Sequence, residues 1–155
     1  MNNILTAFLL LVSFVTYGQE KKTYFPAWTF QQKNTSIYGV SFGLWNYSND
    51  PVNATSNGLR LSLVGEGILV PLAPRSPIPE NDSLFHVLKN DPVSERINGI
   101  SIAGTGNAGS YEINGITLGL VGHLNNRVNG MSLAAMMNYA QIHNGVQVTL
   151  LMNQS

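Results

Sequence analysis

The sequence predicts an all-β protein: a short β-solenoid of about 15-residue repeats, broken by an irregular Pro-rich insertion. Three observations predict it. Asn-Gly recurs at 98–99, 114–115, 129–130 and 144–145, in steps of 16, 15 and 15 residues, and a fixed short period marks a repeat architecture. Each Asn-Gly is followed by an alternation of apolar and small or polar residues, the period-two signature of a half-buried strand. Its apolar members are Ile100/Ile102, Ile116/Leu118, Met131/Leu133 and Val146/Val148. A second marker stands nine residues after each leading Asn, at Asn107, His123, Asn138 and Asn153, so each unit carries two turn signals.

These patterns set definite expectations. Asn-Gly tolerates φ > 0 and should open each unit with a tight turn. The aliphatic pairs should form the core, with Ser101, Thr117, Ser132 and Gln147 facing water. On that reading Leu118→Asp or Leu133→Asp abolishes folding, and Thr117→Asp is far milder. The alternative is an antiparallel β-meander or barrel in which each Asn-Gly is a type I′ hairpin turn. A meander has no need for one motif at constant phase. A stacked coil does, and its equivalent Asn side chains would bond along the stack as a ladder.

Taken in order, residues 1–18 read as a signal peptide. The run Ile4–Val15 is apolar and short, and Thr16 and Gly18 offer small residues for cleavage before Gln19. Twelve apolar residues are too few to span a bilayer as a helix. Residues 19–37 hold Tyr24, Phe25, Trp28 and Phe30, an aromatic segment expected to cap the open end of the core. Residues 38–67 contain the first repeats, at Tyr38-Gly39-Val40 and Asn57-Gly58-Leu59. The loop between them, 46–56, has one Asp, too few carboxylates for a calcium loop.

Residues 68–97 form the insertion. Pro71, Pro74, Pro77 and Pro79 cannot sit in a central strand, because each removes a backbone donor. Asn81-Asp82-Ser83 could then cap a short helix through Leu84, Phe85, Val87 and Leu88, ended by Asp91-Pro92. Glu80, Asp82, Lys89, Asp91 and Glu95 make this the most charged segment and the best candidate for a specific contact. Repeats resume over 98–155, and the last stops at Asn153-Gln154-Ser155 without a visible cap, the expectation for a shortened copy of a longer protein.

The Asn-Gly-apolar-Ser/Thr/Gln-apolar units, the aromatic start and the Gly-Ile-Leu-Val-Pro-Leu-Ala-Pro-Arg-Ser-Pro-Ile stretch at 67–78 resemble an uncharacterised group of exported surface-repeat proteins of Gram-negative bacteria. The resemblance covers nearly the whole mature chain. It implies export and surface repeats, and it carries no assigned activity and no functional residues.

Composition bounds the function. Of 155 residues, 8 are Lys or Arg and 8 are Asp or Glu, so the formal net charge is zero, which gives no electrostatic case for nucleic acid or an anionic membrane. The absence of cysteine excludes a lipid anchor through Cys, disulfides and thiolate metal sites. His86, His123 and His143 share no ligand-like spacing, and Glu112 is the sole carboxylate side chain after residue 98. A solenoid hydrolase would need clustered carboxylates. The positions 101, 117, 132 and 147 are too irregular for an ice-binding face. The expectation is therefore an exported, non-catalytic protein with a structural or adhesive role at the cell envelope. It has no catalytic, cofactor or metal residues, no cofactor, no nucleic-acid partner, and at most envelope or surface components as partners. An outer-membrane β-barrel fragment is the alternative, ahead of a solenoid-type hydrolase.

Overall fold

The structure, a computed structural model, describes residues 21–45, 53–72 and 81–155. The expected signal peptide at 1–18, residues 46–52 of the early loop and residues 73–80, with Glu80, lie outside the described residues. The described chain is all-β and solenoid-like. It forms one open sheet of nine strands: β1 (Lys22–Tyr24), β2 (Ala27–Thr29), β3 (Thr35–Gly43), β4 (Ala54–Ser62), β5 (Glu95–Ala103), β6 (Ala108–Gly119), β7 (Gly122–Ala134), β8 (Met137–Val148) and β9 (Met152–Gln154). A 3-10 helix (Gly67–Leu72) and one α-helix, α1 (Asp82–Asn90), separate β4 from β5.

The strands lie side by side in chain order, with β1 and β2 both on the edge of β3. Every pairing among the described residues is parallel. This overturns the alternative of an antiparallel meander or barrel with hairpin turns. Register is in phase: Asn57 pairs with Asn98, Asn98 with Asn114, Asn114 with Asn129, and Asn129 with Asn144. Ile116 likewise pairs with Met131, and Met131 with Val146.

Asn-Gly does not begin a strand. It is a corner inside one, across which pairing continues unbroken. Gly115 has φ +139°, and a Cβ there would stand 2.1 Å from the Gly99 carbonyl oxygen. Glycine is needed both for the dihedral and for the close approach of the strand below. The expectation of a turn fails because the preference of Asn-Gly for φ > 0 is met by a single glycine bend, with no reversal of the chain.

The faces are also the reverse of those expected. Ser101, Thr117 and Ser132 are buried, whereas Ile100, Ile102, Ile116, Met131, Val146 and Val148 are exposed and Leu118 and Leu133 half-buried. The apolar core lies on the other side of the Asn corner, at Ile97, Ile113 and Val128, with Tyr111 and Ala140. Three of the four second markers, Asn107, His123 and Asn138, are buried, and Asn153 is exposed. Asn107 and Asn138 sit opposite the Ser/Thr column at hydrogen-bond distance. Asn107 Nδ2 donates to Ser101 Oγ (3.1 Å) and Thr117 Oγ1 (3.0 Å), and Ser132 Oγ donates to Asn138 Oδ1 (2.6 Å). Ser, Thr and Asn bridge the space between these walls, and their mutual bonds offset the cost of burying polar groups.

Arg60 stands in the same Ser/Thr column, paired with Ser41 and Ser101. It is fully buried, with Nε bridging both oxygens of Glu95 at 3.1 Å and Nη1 donating to Asn107 Oδ1. Its guanidinium lies 4.0 Å from the centre of the Phe30 ring and 5.2 Å from that of Tyr111. Glu95, read from the sequence as a surface charge of the insertion, is thus an internal residue at the start of β5. At the N-terminal edge Tyr24 and Trp28 stack at 4.5 Å, and Phe30, in the turn between β2 and β3, is buried.

Candidate functional site

Two surfaces remain once the interior is accounted for. The first is the outward strand face. Val40, Leu59, Ile100, Ile116, Met131 and Val146 form one column in register, and Phe42, Leu61, Ile102, Leu118, Leu133 and Val148 form the next. Leu44, Leu63, Leu120 and Leu150 extend it into the following corner and are 60–85% exposed. None of these positions carries a charge. Where Gly104, Gly119, Ala134 and Ala135 replace larger residues the face sinks into an apolar trough of about 450 Å³.

The second is a cleft of mixed polar and apolar lining, about 850 Å³, between α1 and the Asn corners. Asn129 and Asn144, which line it, belong to an amide ladder. Asn98 Nδ2 donates to Asn57 Oδ1 (2.8 Å), Asn114 to Asn98 (2.9 Å), Asn129 to Asn114 (2.7 Å) and Asn144 to Asn129 (2.9 Å). In-phase parallel pairing places each amide above the last, so one donor and one acceptor are satisfied at each step. Beside the ladder Arg96, Glu112 and Arg127 are successive register partners. Glu112 Oε2 accepts from Arg96 (3.1 Å) and Arg127 (3.0 Å). Partial burial would raise the Glu112 carboxyl, but the two arginines outweigh it and hold it below the usual carboxylate range.

Most of this charge is used internally. Arg127 Nη1 donates to the carbonyls of Leu88 (3.1 Å), Lys89 (2.6 Å) and Asp91 (3.1 Å), satisfying the carbonyl end of α1 with a cation. Asn81 Oδ1 accepts from Leu84 N at the other end (2.8 Å). Helix α1 is therefore capped at both ends, and Arg127 ties its carbonyl end to β7. Lys21 Nζ donates to Thr55 Oγ1 on the cleft floor (2.5 Å), its pKa lowered by burial and by the neighbouring charge of Arg96.

The three histidines lie on separate elements. His86 is on α1, and His143 is in β8 as the register partner of Val128. His123 is inside β7, where Nδ1 accepts from Asn107 N (3.0 Å) and Nε2 reaches Leu133 O (3.1 Å). That pattern requires the neutral Nε2–H tautomer. Burial lowers the ring's pKa to about 4, against the smaller opposing effect of the Leu133 carbonyl. His123 shares its register position with Asn138 and Asn153, so it fills an asparagine's structural place. Among the described residues no group of three or more His, Cys, Asp or Glu side chains could hold a metal ion.

Comparison with protein-family models, with curated proteins and with solved structures gives no match.

The exposed aliphatic face is the surface that sequence reasoning missed. Its signal was present: Ser101, Thr117 and Ser132 stand between aliphatic residues, and their partners Asn107 and Asn138 lie nine residues after Asn98 and Asn129.

Proposed function

We propose that the chain is a short β-solenoid of about 15-residue coils, exported, and non-catalytic, with a structural or adhesive role at the cell envelope. It would stand with the surface-repeat proteins that its motifs resemble. One observation carries this reading: the distribution of chemistry between inside and outside. Arg60, Glu66 and Glu95 are buried, Glu112 and Arg127 hold α1 in place, and the broad outward face is aliphatic. A catalytic surface needs the reverse, with converging titratable groups open to a substrate. A protein that works by being covered needs this arrangement.

The in-phase parallel register supports the coil reading. The apolar run at 4–15, followed by small residues at 16 and 18, supports export. Membrane barrels are built from antiparallel strands that close on themselves, so parallel pairing in an open sheet gives the barrel reading no support. The test is expression of the full chain in a Gram-negative host, fractionation, and mass spectrometry of the N-terminus. Envelope-associated protein beginning at Gln19 supports the proposal. Intact Met1 in the cytosolic fraction overturns export, and turnover of any substrate by the purified chain overturns the non-catalytic role.

A further inference from the structure

We infer that two copies of this chain dock through the aliphatic strand face, forming a symmetric dimer, sheet face to sheet face. Four observations favour a second copy as the occupant. The first is size. Six strands at ~4.8 Å spacing give a length of about 29 Å, and three outward positions ~7 Å apart give a width of about 20 Å. That is ~600 Å² of projected face per copy, or ~1,200 Å² for the pair, where stable interfaces begin. It is also the upper limit of the apolar patch a lone monomer carries.

The second is periodicity. The face is ribbed by ladders at the strand spacing, Val40 through Val146 and Phe42 through Val148. Ribs interdigitate best with a surface of the same spacing, and another copy has it. Aligned sheets pack in this way at ~10 Å. The third is charge. The face has no cation for anionic headgroups, as a lipid-binding surface usually has, and a chain of zero formal net charge does not repel its own copy. The fourth is the border. The Asn ladder at 57, 98, 114, 129 and 144 runs beside the face as a polar rim, the usual anatomy of an interface. A two-fold axis near β5 and β6 sets the same patch on itself.

The inference does not depend on where the protein resides. Sedimentation of the purified exported chain at micromolar concentration should give twice the chain mass. The double variant Ile116→Thr/Met131→Thr should sediment at half that mass with an unchanged far-UV spectrum. Because the chain has no cysteine, Ile116→Cys places a single thiol near the axis. With a short bis-maleimide linker it should cross-link into a dimer far faster than Val87→Cys, an exposed position on α1. This comparison decides the matter if the double variant fails to fold. A wild-type monomer at every concentration overturns the inference, as do equal cross-linking rates at the two positions. Monomers floating with phosphatidylcholine vesicles would assign the face to lipid and also overturn it. A monomer at the envelope leaves the proposed function standing, and a dimer confined to the cytosol leaves only the dimer.

Discussion

Thr117 Oγ1 lies 3.0 Å from Asn107 Nδ2, and both residues are fully buried. The next residue, Leu118, looks outward. Thr117→Asp puts a carboxylate where water cannot reach, a change expected to abolish folding. Thr117→Val leaves Asn107 short of one bond, costing ~1–3 kcal/mol. Leu118→Thr keeps a strand-forming side chain on a half-buried site and costs about 1 kcal/mol. Urea midpoints of Thr117→Val and Leu118→Thr at low protein concentration, with the far-UV spectrum of Thr117→Asp, check the order, which is opposite to that expected from hydrophobic alternation.

Acid should destabilise the fold through His123. Its folded pKa of about 4 lies below the ordinary value of 6.5. The unfolded chain therefore binds the proton first, and stability is full above about pH 6.5. It falls as pH drops from there toward 4, by up to ~3 kcal/mol. His123→Asn places the neighbours' residue at that position and should flatten this interval of the curve. Thermal melts at pH 7 and pH 4.5 for the two proteins measure it; an equal loss in both would remove His123 as the cause.

Arg60 and Glu95 form a wholly buried pair. Arg60→Met leaves the carboxylate uncompensated and should cost ~3–5 kcal/mol, while Arg60→Met with Glu95→Gln should recover much of that loss. A double-mutant cycle by denaturant unfolding gives the coupling. Additive losses would mean that the pair is not the interaction responsible.

Arg127→Ala removes the cation that takes three carbonyls at the end of α1. The cost should be local. Amide exchange should accelerate over residues 82–91, and proteolysis there should increase, while β6 to β8 keep their protection. Arg127→Lys should restore only part of the protection, since a point charge lacks the fork of donors. Exchange rising equally across the sheet would show that Arg127 supports the whole fold.

The strand register was legible in the sequence because the constant Asn-Gly phase can be met by in-phase pairing with its side-chain amide ladder. Which way the strands faced was not legible. Alternation gives two faces, and the usual rule sends the aliphatic one inward. Here Asn107 and Asn138 supply partners for Ser101, Thr117 and Ser132 across a narrow interior, so the polar face is the one enclosed. Position 97, 113 and 128, before each Asn, supplies the apolar core instead. Arg60 shows the same limit. In a linear reading it is one exposed cation in an alternating strand, and the distant Glu95, Asn107, Phe30 and Tyr111 make its burial tolerable. The histidines were legible as lacking ligand-like spacing, but the inward direction of His123 was not.

The chain-order arrangement from β1 to β9 also fixes how the molecule bears mechanical load. Tension applied between residues 21 and 155 runs along the stacking direction, so the inter-strand hydrogen bonds are pulled open in series and never sheared together. Such a sheet should peel strand by strand at low force. Each released Asn-to-Asn step of about 15 residues should add roughly 5 nm of contour length, giving a regular sawtooth in single-molecule extension. The β4 to β5 step, which contains α1 and the 3-10 helix, should release much more. A fold whose strands are loaded in parallel would instead yield in one high-force event, leaving no such ruler in the trace.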